Sequence, residues 1–119
     1  MIKIDPAEFY ADDVLTCPVA AAVQTFSGKW KPILLHMLCE RQMHFAQIDR
    51  ALPKASKKVL TEQLRELEAD GLITRTPTDE RRVRVIYALS ATGEKLAPIL
   101  VQLYVWQKSR ENEALTEAA

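Results

Sequence analysis

The sequence predicts an α+β fold that is mainly helical: a helix, a tight turn and a second helix, then a two- to three-stranded antiparallel sheet and a long final helix. Leu60, Leu64 and Leu67 recur at helical spacing, so one face of their helix must be buried. Pro53 ends the preceding helix, because the residue before a proline avoids the α region. Gly71 stands where helices commonly end. Helix, turn, helix and strands in this order predict a winged helix-turn-helix.

The second helix of this pair has a marked start and a polar face. Ser56 is a suitable N-cap, because its hydroxyl can accept a free backbone N–H. An ordinary amphipathic helix pair without a ligand is the better interpretation for the leucines alone, since apolar helical stripes are mostly core. The polar side chains near the helix start or opposite the leucines, left to solvent or to a partner, are Lys57, Lys58, Thr61, Glu62 and Arg65.

The segment after Gly71 favours a DNA partner over that plain interpretation. It predicts a strand over 72–77, a polar turn over 78–82 and a second strand over 83–89. Three arginines cluster in the turn and second strand: Arg81, Arg82 and Arg84. A basic hairpin beside a lysine-bearing helix start suits contact with phosphates. We therefore expect Ser56, Lys57 and Lys58 to meet phosphates or guanine edges, Thr61, Glu62 and Arg65 to approach bases, and the three arginines to hold the backbone.

Composition agrees with one small cytoplasmic domain. With 119 residues, 48% of them hydrophobic, the chain can bury a modest core, which dimerisation would complete. The net charge is zero, yet residues 28–95 hold 13 basic and 9 acidic side chains, against 3 basic and 7 acidic in the flanks. Such a local patch suits a DNA reader. No apolar run approaches the roughly 20 residues of a membrane span, and no signal peptide opens the chain.

The sequence contains no group of residues that is typical of an enzyme active site. It offers no nucleophile–base pair, metal cluster or glycine-rich phosphate loop, so no cofactor is expected. His36 and Cys39 stand three residues apart on a predicted helix, with His44 nearby. Two ligands do not make a metal site. We interpret Cys39 as structural and predict no metal.

Cys17 occupies a different setting. It precedes Pro18, which suits the first helical position, so Cys17 falls at the N-cap. There the free amides and the positive end of the helix dipole would favour thiolate over thiol and raise reactivity. The alternative, that Cys17 is a small packed hydrophobe, stays open from the residues alone. Neither cysteine has a C-x-x-C partner, as expected of free thiols in a reducing compartment.

The final segment predicts dimerisation. Ser90 is a plausible N-cap, and Gly93 in the first turn would permit close approach to a neighbour. The apolar residues that then recur at helical spacing are Leu96, Ile99, Leu100, Leu103 and Trp106. So small a domain leaves little core for them to cover, which favours subunit pairing. We divide the chain into an N-terminal arm (1–16) that could lie at the dimer interface, a DNA-binding domain (17–89), and a dimerisation helix with a frayed tail from 112 (90–119).

Three separated stretches carry a resemblance to a known family. CPVAAAVQTFSGKWKPILLHML (17–38) resembles the opening of the HxlR-type, MarR-like winged-helix regulators, with their Cys-Pro and Gly-Lys-Trp. HFAQIDRALPKASKKVLTEQLRELEADGLITR (44–75) is similar to their helix-turn-helix, and YALSATGEKLAPILVQLYVW (87–106) to their closing helix. The resemblance implies a homodimeric bacterial regulator with its recognition helix in the major groove of a pseudo-palindromic operator. It also implies that Cys17 could sense oxidants, or electrophiles such as quinones and aldehydes.

The chain departs from the family pattern at two places that bear on DNA contact. His44 stands where members often carry arginine, which would weaken one phosphate contact, and residues 80–87 read ERRVRVIY in place of a proline-containing wing. No cysteine follows Cys39, so a disulfide to a C-terminal cysteine is not expected. A mechanism with Cys17 alone, or an intersubunit bond through Cys17 or Cys39, stays open. So do regulation by a non-covalent ligand and use of the fold as a protein-interaction module.

Overall fold

A computed structural model describes residues 17–78 and 84–118. The predicted arm over residues 1–16 lies outside the described residues, and so do residues 79–83. Arg81 and Arg82 fall among them, so their predicted contacts remain predictions. The side chain of Ala118 and the whole of Ala119 are outside the description too.

The described chain forms five helices and three short strands in the order that the sequence predicts. The elements are α1 (Pro18–Phe26), α2 (Lys31–Glu40), β1 (Met43–His44), α3 (Phe45–Ala51), α4 (Lys57–Ala69), β2 (Ile73–Pro77), β3 (Val85–Leu89) and α5 (Ala91–Ala118). The sheet is antiparallel with strand order β1-β3-β2. The predicted winged helix-turn-helix with its three-stranded sheet and long final helix is confirmed.

The helix-turn-helix follows the local signals in the sequence. The Ser56 hydroxyl caps α4 by accepting the N–H of Val59 at 3.1 Å. Gly71, with φ of +77°, ends α4: its N–H donates to the Glu68 carbonyl, and the N–H of Leu72 donates to Leu67. A left-handed residue at this position is the common way to close a helix, and glycine adopts it without strain. Each boundary of α4 is therefore set by a single residue, Ser56 at its start and Gly71 at its end.

The core lies where α2, α3 and α4 meet. Its largest fully buried side chains are Leu34, Leu35, Ile48, Leu60, Leu64 and Leu67. The predicted burial of the three α4 leucines is confirmed. Fully burying a leucine contributes about 1.5–3 kcal/mol relative to leaving it exposed, so this face supplies most of the stability that holds α4 on the domain.

The wing strands begin slightly later than the sequence predicts. β2 starts at Ile73 and not at Leu72, because the N–H of Leu72 is engaged in closing α4 and its carbonyl accepts the N–H of Ser90 at 3.0 Å. At the other end of the strand, the backbone N–H and the hydroxyl of Thr78 both donate to the carbonyl of Arg84, at 3.0 and 3.2 Å. The strands are thereby held together up to the edge of the turn.

The start of α5 is built into the rest of the domain. The Ser90 hydroxyl accepts the Gly93 N–H at 3.0 Å, as the predicted N-cap requires, and donates to the Gly71 carbonyl. A Cβ added at Gly93 would collide with the carbonyl oxygen of Leu72. The predicted close approach at Gly93 is therefore confirmed, and its neighbour is the junction between α4 and β2.

Beyond its first turns, α5 leaves the domain. The helix is continuous through Pro98 to Ala118, so the predicted fraying from residue 112 is wrong over 112–118. Contacts one turn apart support this end: Lys108 pairs with Glu111 at 3.4 Å, and the Thr116 hydroxyl donates to the Asn112 carbonyl at 2.9 Å. Within the described residues, no helix combines the length and apolarity that crossing a bilayer requires.

Replacing Gly93 with alanine should destabilise the protein. In an unobstructed helix, replacing glycine with alanine stabilises the protein by roughly 0.5–1 kcal/mol. A loss of stability at this position would therefore indicate the collision. The collision with the Leu72 carbonyl should reverse that gain and lower the free energy of unfolding by about 1–3 kcal/mol. Urea unfolding followed by circular dichroism measures it.

Two matched variants separate the collision from other effects. Gly71→Ala meets nothing within 4 Å but keeps a positive φ, so it reports backbone strain alone. Thr92→Ala alters the exposed neighbour of Gly93 and should change stability little. A Gly93→Ala protein as stable as wild type, or more so, would show that α5 is not seated on Leu72.

Candidate nucleic-acid interface and thiol site

The side of α4 opposite its buried leucines forms a polar surface, here called the DNA face. It comprises Lys57, Lys58, Glu62 and Arg65, all exposed. Thr61 differs from the prediction that it points freely outward: it is half-buried, and its hydroxyl donates to the Lys57 carbonyl at 2.7 Å. Thr61 thus lies at the edge of the DNA face.

Two predicted contacts at the start of α4 are partly engaged within the protein. Ser56 is exposed, but its oxygen serves as the N-cap, which leaves its O–H as the group able to donate outward. The Lys57 ammonium lies 4.0 Å from the Asp49 carboxylate, while its side chain is 77% exposed. An ion pair this long and this exposed contributes little, so Lys57 is available to another anion.

A basic cleft, the Arg75 cleft, lies between α4 and the sheet. Its volume is about 300 Å³, and it is lined by Thr61, Arg65, Glu68, Arg75 and Tyr87. Arg75 is paired with Tyr87 in the β2–β3 register, which brings its guanidinium to the side of the DNA face. The sequence interpretation missed Arg75, although the polar residues after Ile73 already indicate an exposed edge strand.

A second cleft, the Arg84 cleft, lies between the start of α3 and β3. It has a volume of about 430 Å³, and its lining includes His44, Gln47, Arg50 and Arg84. Gln47 Oε1 accepts the His44 N–H at 2.8 Å, whereas the buried Nδ1 of His44 has no hydrogen-bond partner. Arg50 was also missed by the sequence interpretation. The structure therefore places Arg65 with Arg75, and Arg84 with Arg50, in two separate clefts.

Cys17 lies at the predicted N-cap of α1 but does not cap the helix with its side chain. It is half-buried, with φ of −84° and ψ of 117°, and no capping hydrogen bond reaches its sulfur. Its carbonyl accepts the Ala21 N–H at 2.9 Å. A thiol is a weak acceptor, and Pro18 has no N–H to offer. The expected position is confirmed, while the expected amide contacts to the sulfur are not formed.

Cys39 lies in a setting that lowers its reactivity. Burial raises the pKa of its thiol, and the neighbouring Glu40 carboxylate raises it further. The thiol is therefore the dominant form at neutral pH, and the thiolate fraction grows only as pH rises toward that raised pKa. This agrees with the interpretation of Cys39 as structural. His36, one turn earlier, packs against Tyr104 with ring centroids 6.0 Å apart.

The helix that carries Cys17 is loosely attached, yet the loop after it is not. α1 has no buried residue, and Val19 and Val23 are exposed. After α1, the N–H of Trp30 donates to Gln63 Oε1 at 3.2 Å, and the Lys31 ammonium lies 2.6 Å from the Glu66 carboxylate. Both partners belong to α4. The loop between α1 and α2 is thus joined directly to the helix that carries the DNA face.

The predicted dimerisation residues divide into two groups. Leu96 and Leu100 are half-buried and pack against the chain's own core. Ile99, Leu103 and Trp106 are exposed, Trp106 by 59%. Three further exposed apolar residues lie between or beside them: Val101, Tyr104 and Val105. Every residue from 101 to 117 is exposed, so this part of α5 covers no core of its own chain.

Comparison with known proteins gives a consistent result. The model of the HxlR-like helix-turn-helix family matches residues 25–114. A helix-turn-helix transcriptional regulator of Methanothermobacter thermautotrophicus is 41% identical over 97 residues, which cover 82% of this chain and 74% of that protein. Among solved structures, the redox regulator HypR in its reduced form superposes with a TM-score of 0.76 at 34% identity, covering 86% of this chain and 99% of that one.

A second solved structure is also similar to this chain. The quinone-bound form of YodB from Bacillus subtilis superposes with a TM-score of 0.66 at 26% identity, covering 76% of this chain and 96% of that one. The family model spans most of this sequence, and the order of elements is that of a winged helix. This chain belongs to the HxlR-like helix-turn-helix family of DNA-binding transcriptional regulators.

Proposed function

We propose that this regulator acts as a homodimer that binds a pseudo-palindromic operator and responds to oxidants or electrophiles through Cys17. The observation that carries the DNA-binding part is the exposed DNA face of α4 together with two basic clefts, the Arg75 cleft beside α4 and the Arg84 cleft between α3 and β3. A neutral protein needs such a local concentration of arginine and lysine to attract a polyanion.

In the proposed complex, the DNA face of α4 enters the major groove. Lys57 and Lys58 lie near the positive end of the helix and meet phosphates or guanine edges, with the Ser56 hydroxyl beside them. Glu62 and Arg65 approach base edges, with Thr61 at the margin. We assign backbone contacts to the wing and the clefts: Arg50, Arg75, Arg81, Arg82 and Arg84.

Replacing Arg75 or Arg84 with alanine should weaken specific and non-specific DNA binding together. Each variant removes one phosphate contact, so the slope of log K against log salt should fall by about one. Arg65→Ala should behave differently, losing about 1–3 kcal/mol only at particular base pairs. Fluorescence anisotropy with labelled duplexes at several salt concentrations measures all three.

Lys95→Ala is the matched control, because Lys95 is exposed on the first turns of α5 and lines neither cleft. It should leave both affinity and salt slope unchanged. Arginine variants that bind like wild type at every salt concentration would contradict the proposed docking. They would favour the alternative that this winged helix serves as a protein-interaction module.

The proposed dimer rests on the apolar surface of α5. Ile99, Leu103 and Trp106 lie on one side of the helix, whereas Val101 and Val105 lie on another. All five are exposed. A helix that is apolar around its circumference is stable when buried among other helices, and an isolated helix gains little stability in water. A second copy of the chain, offering its own α5, is the partner that this surface fits.

Leu103→Glu should convert the dimer into monomers and abolish operator binding. Leu103 is 45% exposed within one chain, so the charge should leave the monomer folded while opposing burial between subunits. Sedimentation equilibrium gives the mass, and footprinting should show wild type protecting half-sites about one helical turn, or ~10 base pairs, apart.

Ser109→Glu adds the same charge to α5 at an exposed polar position and should preserve the dimer. A monomeric wild-type protein that still protects a symmetric operator would overturn the dimer proposal.

The proposed sensing step is nucleophilic addition by Cys17. Its thiolate sulfur would add to a ring carbon of a quinone, and a proton from water would complete the hydroquinone adduct, so no further oxidant is needed. The site supports this by position: Cys17 is partly accessible, at the start of a helix with no buried residue. HypR is a redox regulator and YodB has been solved with quinone bound, and both share this fold.

Cys17→Ser should retain DNA affinity and lose release by a quinone or an aldehyde, because serine can still cap the helix but is not a comparable nucleophile. Electrophoretic mobility shift with and without the electrophile measures it. Cys39→Ser is the control and should be released like wild type. Alkylation of Cys39 should be slow at neutral pH and accelerate as pH rises, since burial raises the pKa of its thiol.

Release of the Cys17→Ser protein to the same extent as wild type would contradict the thiol proposal. A non-covalent ligand, or an intersubunit bond through Cys39, would then become the working mechanism.

A further inference from the structure

We propose that Gln63 and Glu66 are positioning residues, which transmit a change at Cys17 to the DNA face of α4. Together with Trp30 and Lys31 they form a set of contacts, here called the latch, between α4 and the end of the loop after α1, where α2 begins. The inference rests on the proposed function of Cys17 and adds to it the route by which modification alters DNA affinity.

The first half of the latch is a hydrogen bond across the chain. Gln63 Oε1 accepts the Trp30 N–H at 3.2 Å, in a partly buried setting between residues 33 apart in sequence. The Gln63 amide also lies 3.8–3.9 Å from the position that a Cβ on Gly28 would occupy. Gly28 has φ of +128°, a conformation that glycine adopts readily. The loop is therefore shaped to let the Gln63 side chain rest against its backbone.

The second half is an ion pair with one buried member. Lys31 is 9% exposed, and its ammonium lies 2.6 Å from the Glu66 carboxylate, whose side chain is 59% exposed. A buried ammonium requires a partner, so Lys31 holds Glu66 even though the carboxylate is mostly in water. Among the residues that the structure describes, Lys31 is the buried charged side chain. The pair consequently fixes the start of α2 against α4.

The geometry connects the latch to both ends of the proposed signal. Between Cys17 and the latch lies α1, a nine-residue helix with no buried residue. Its last residue, Phe26, packs against the core just before the loop, so a displacement at Cys17 is passed along α1 to the loop. Gln63 and Glu66 stand on the edge of α4 beside α2, whereas the DNA face lies opposite the buried leucines. A helix is stiff, so a displacement applied at its flank moves the DNA face as well. Base and phosphate contacts depend on that placement.

An ordinary structural role for these residues would affect stability and nothing else. The distinguishing property of the latch is coupling: the effect of a Cys17 adduct on DNA affinity should depend on Gln63 and Glu66. Ratios taken within each variant, with adduct and without, cancel any change that a substitution makes to basal affinity.

The experiment uses the full chain carrying Cys39→Ser, so that Cys17 is the single thiol. N-ethylmaleimide adds the S–H of Cys17 across its double bond, and mass spectrometry confirms one adduct per chain. The dissociation constant for a duplex selected from a random-sequence library is then measured with and without the adduct. The variants are Gln63→Leu, Glu66→Gln and both together. Asp70→Asn makes the same charge change at the exposed C-cap of α4, lines neither cleft and is the control.

We expect the adduct to weaken DNA binding by about tenfold in the parent and in the Asp70→Asn control. The double latch variant should show a change below about threefold, with the single variants between these values. Hydrogen exchange gives a second measure: the adduct should accelerate exchange of the α4 backbone amides in the parent but not in the latch variants. A change in the free energy of unfolding alone would not alter this difference between the parent and the latch variants.

The outcomes separate the two proposals. An equal adduct effect in parent and latch variants would overturn the latch while leaving Cys17 as the sensor. An adduct that leaves DNA binding by the parent unchanged would overturn the proposed sensing and the latch with it. If the double variant does not fold, the single variants and hydrogen exchange in the parent test the latch. Backbone amides of α4 that exchange at the same rate with and without the adduct would overturn it.

Discussion

The junction at Leu72 holds the whole arrangement together. The N–H of Leu72 closes α4, and its carbonyl receives the N–H of Ser90. The Ser90 hydroxyl both caps α5 and donates to the Gly71 carbonyl, and Gly93 lets α5 approach this backbone. The helix that carries the proposed DNA face, the wing strand and a helix with a large exposed apolar surface therefore share one hydrogen-bonded corner. Because buried backbone groups are expensive to leave unpaired, a change in the direction of α5 cannot occur without moving the end of α4.

Seen from α4, the corner is one of three supports. The leucine face rests on α2 and α3, the Arg75 cleft borders one edge, and the latch from Gln63 and Glu66 borders the other. Hydrophobic burial supplies most of the stability but little direction, since apolar contacts are not directional. The polar contacts of the latch and of the Leu72 corner supply the orientation. An ion pair with an exposed carboxylate adds little stability, yet it can still determine where a helix points.

The parts of this fold that the sequence predicts are those governed by local chemistry. Five residues that begin or end helices, or permit a close approach, have the roles that the sequence predicts, because each acts within a few residues or on one adjacent junction. They are Pro53, Ser56, Gly71, Ser90 and Gly93. Contacts between distant residues were not predicted. Arg75 shares a cleft with Arg65 because of the sheet register that pairs it with Tyr87. Lys31 forms an ion pair with Glu66 only after α2 packs on α4. The tail was also misread, because polarity suggested fraying while its residues include good helix formers.

The two cysteines show that the reactivity of a thiol depends on its position in the fold. Both are half-buried free thiols, and the sequence alone distinguishes them only by the proline after Cys17. Cys39 lies within α2 beside Glu40, where burial and a like charge raise the pKa of its thiol and keep it protonated. Cys17 begins a helix that has no buried residue and whose core contact, Phe26, lies at its opposite end. A group attached to the sulfur can therefore be accommodated by moving the start of α1 without unfolding the domain. A sensing residue needs that freedom together with a firm connection downstream, which the loop after α1 has through Trp30 and Lys31.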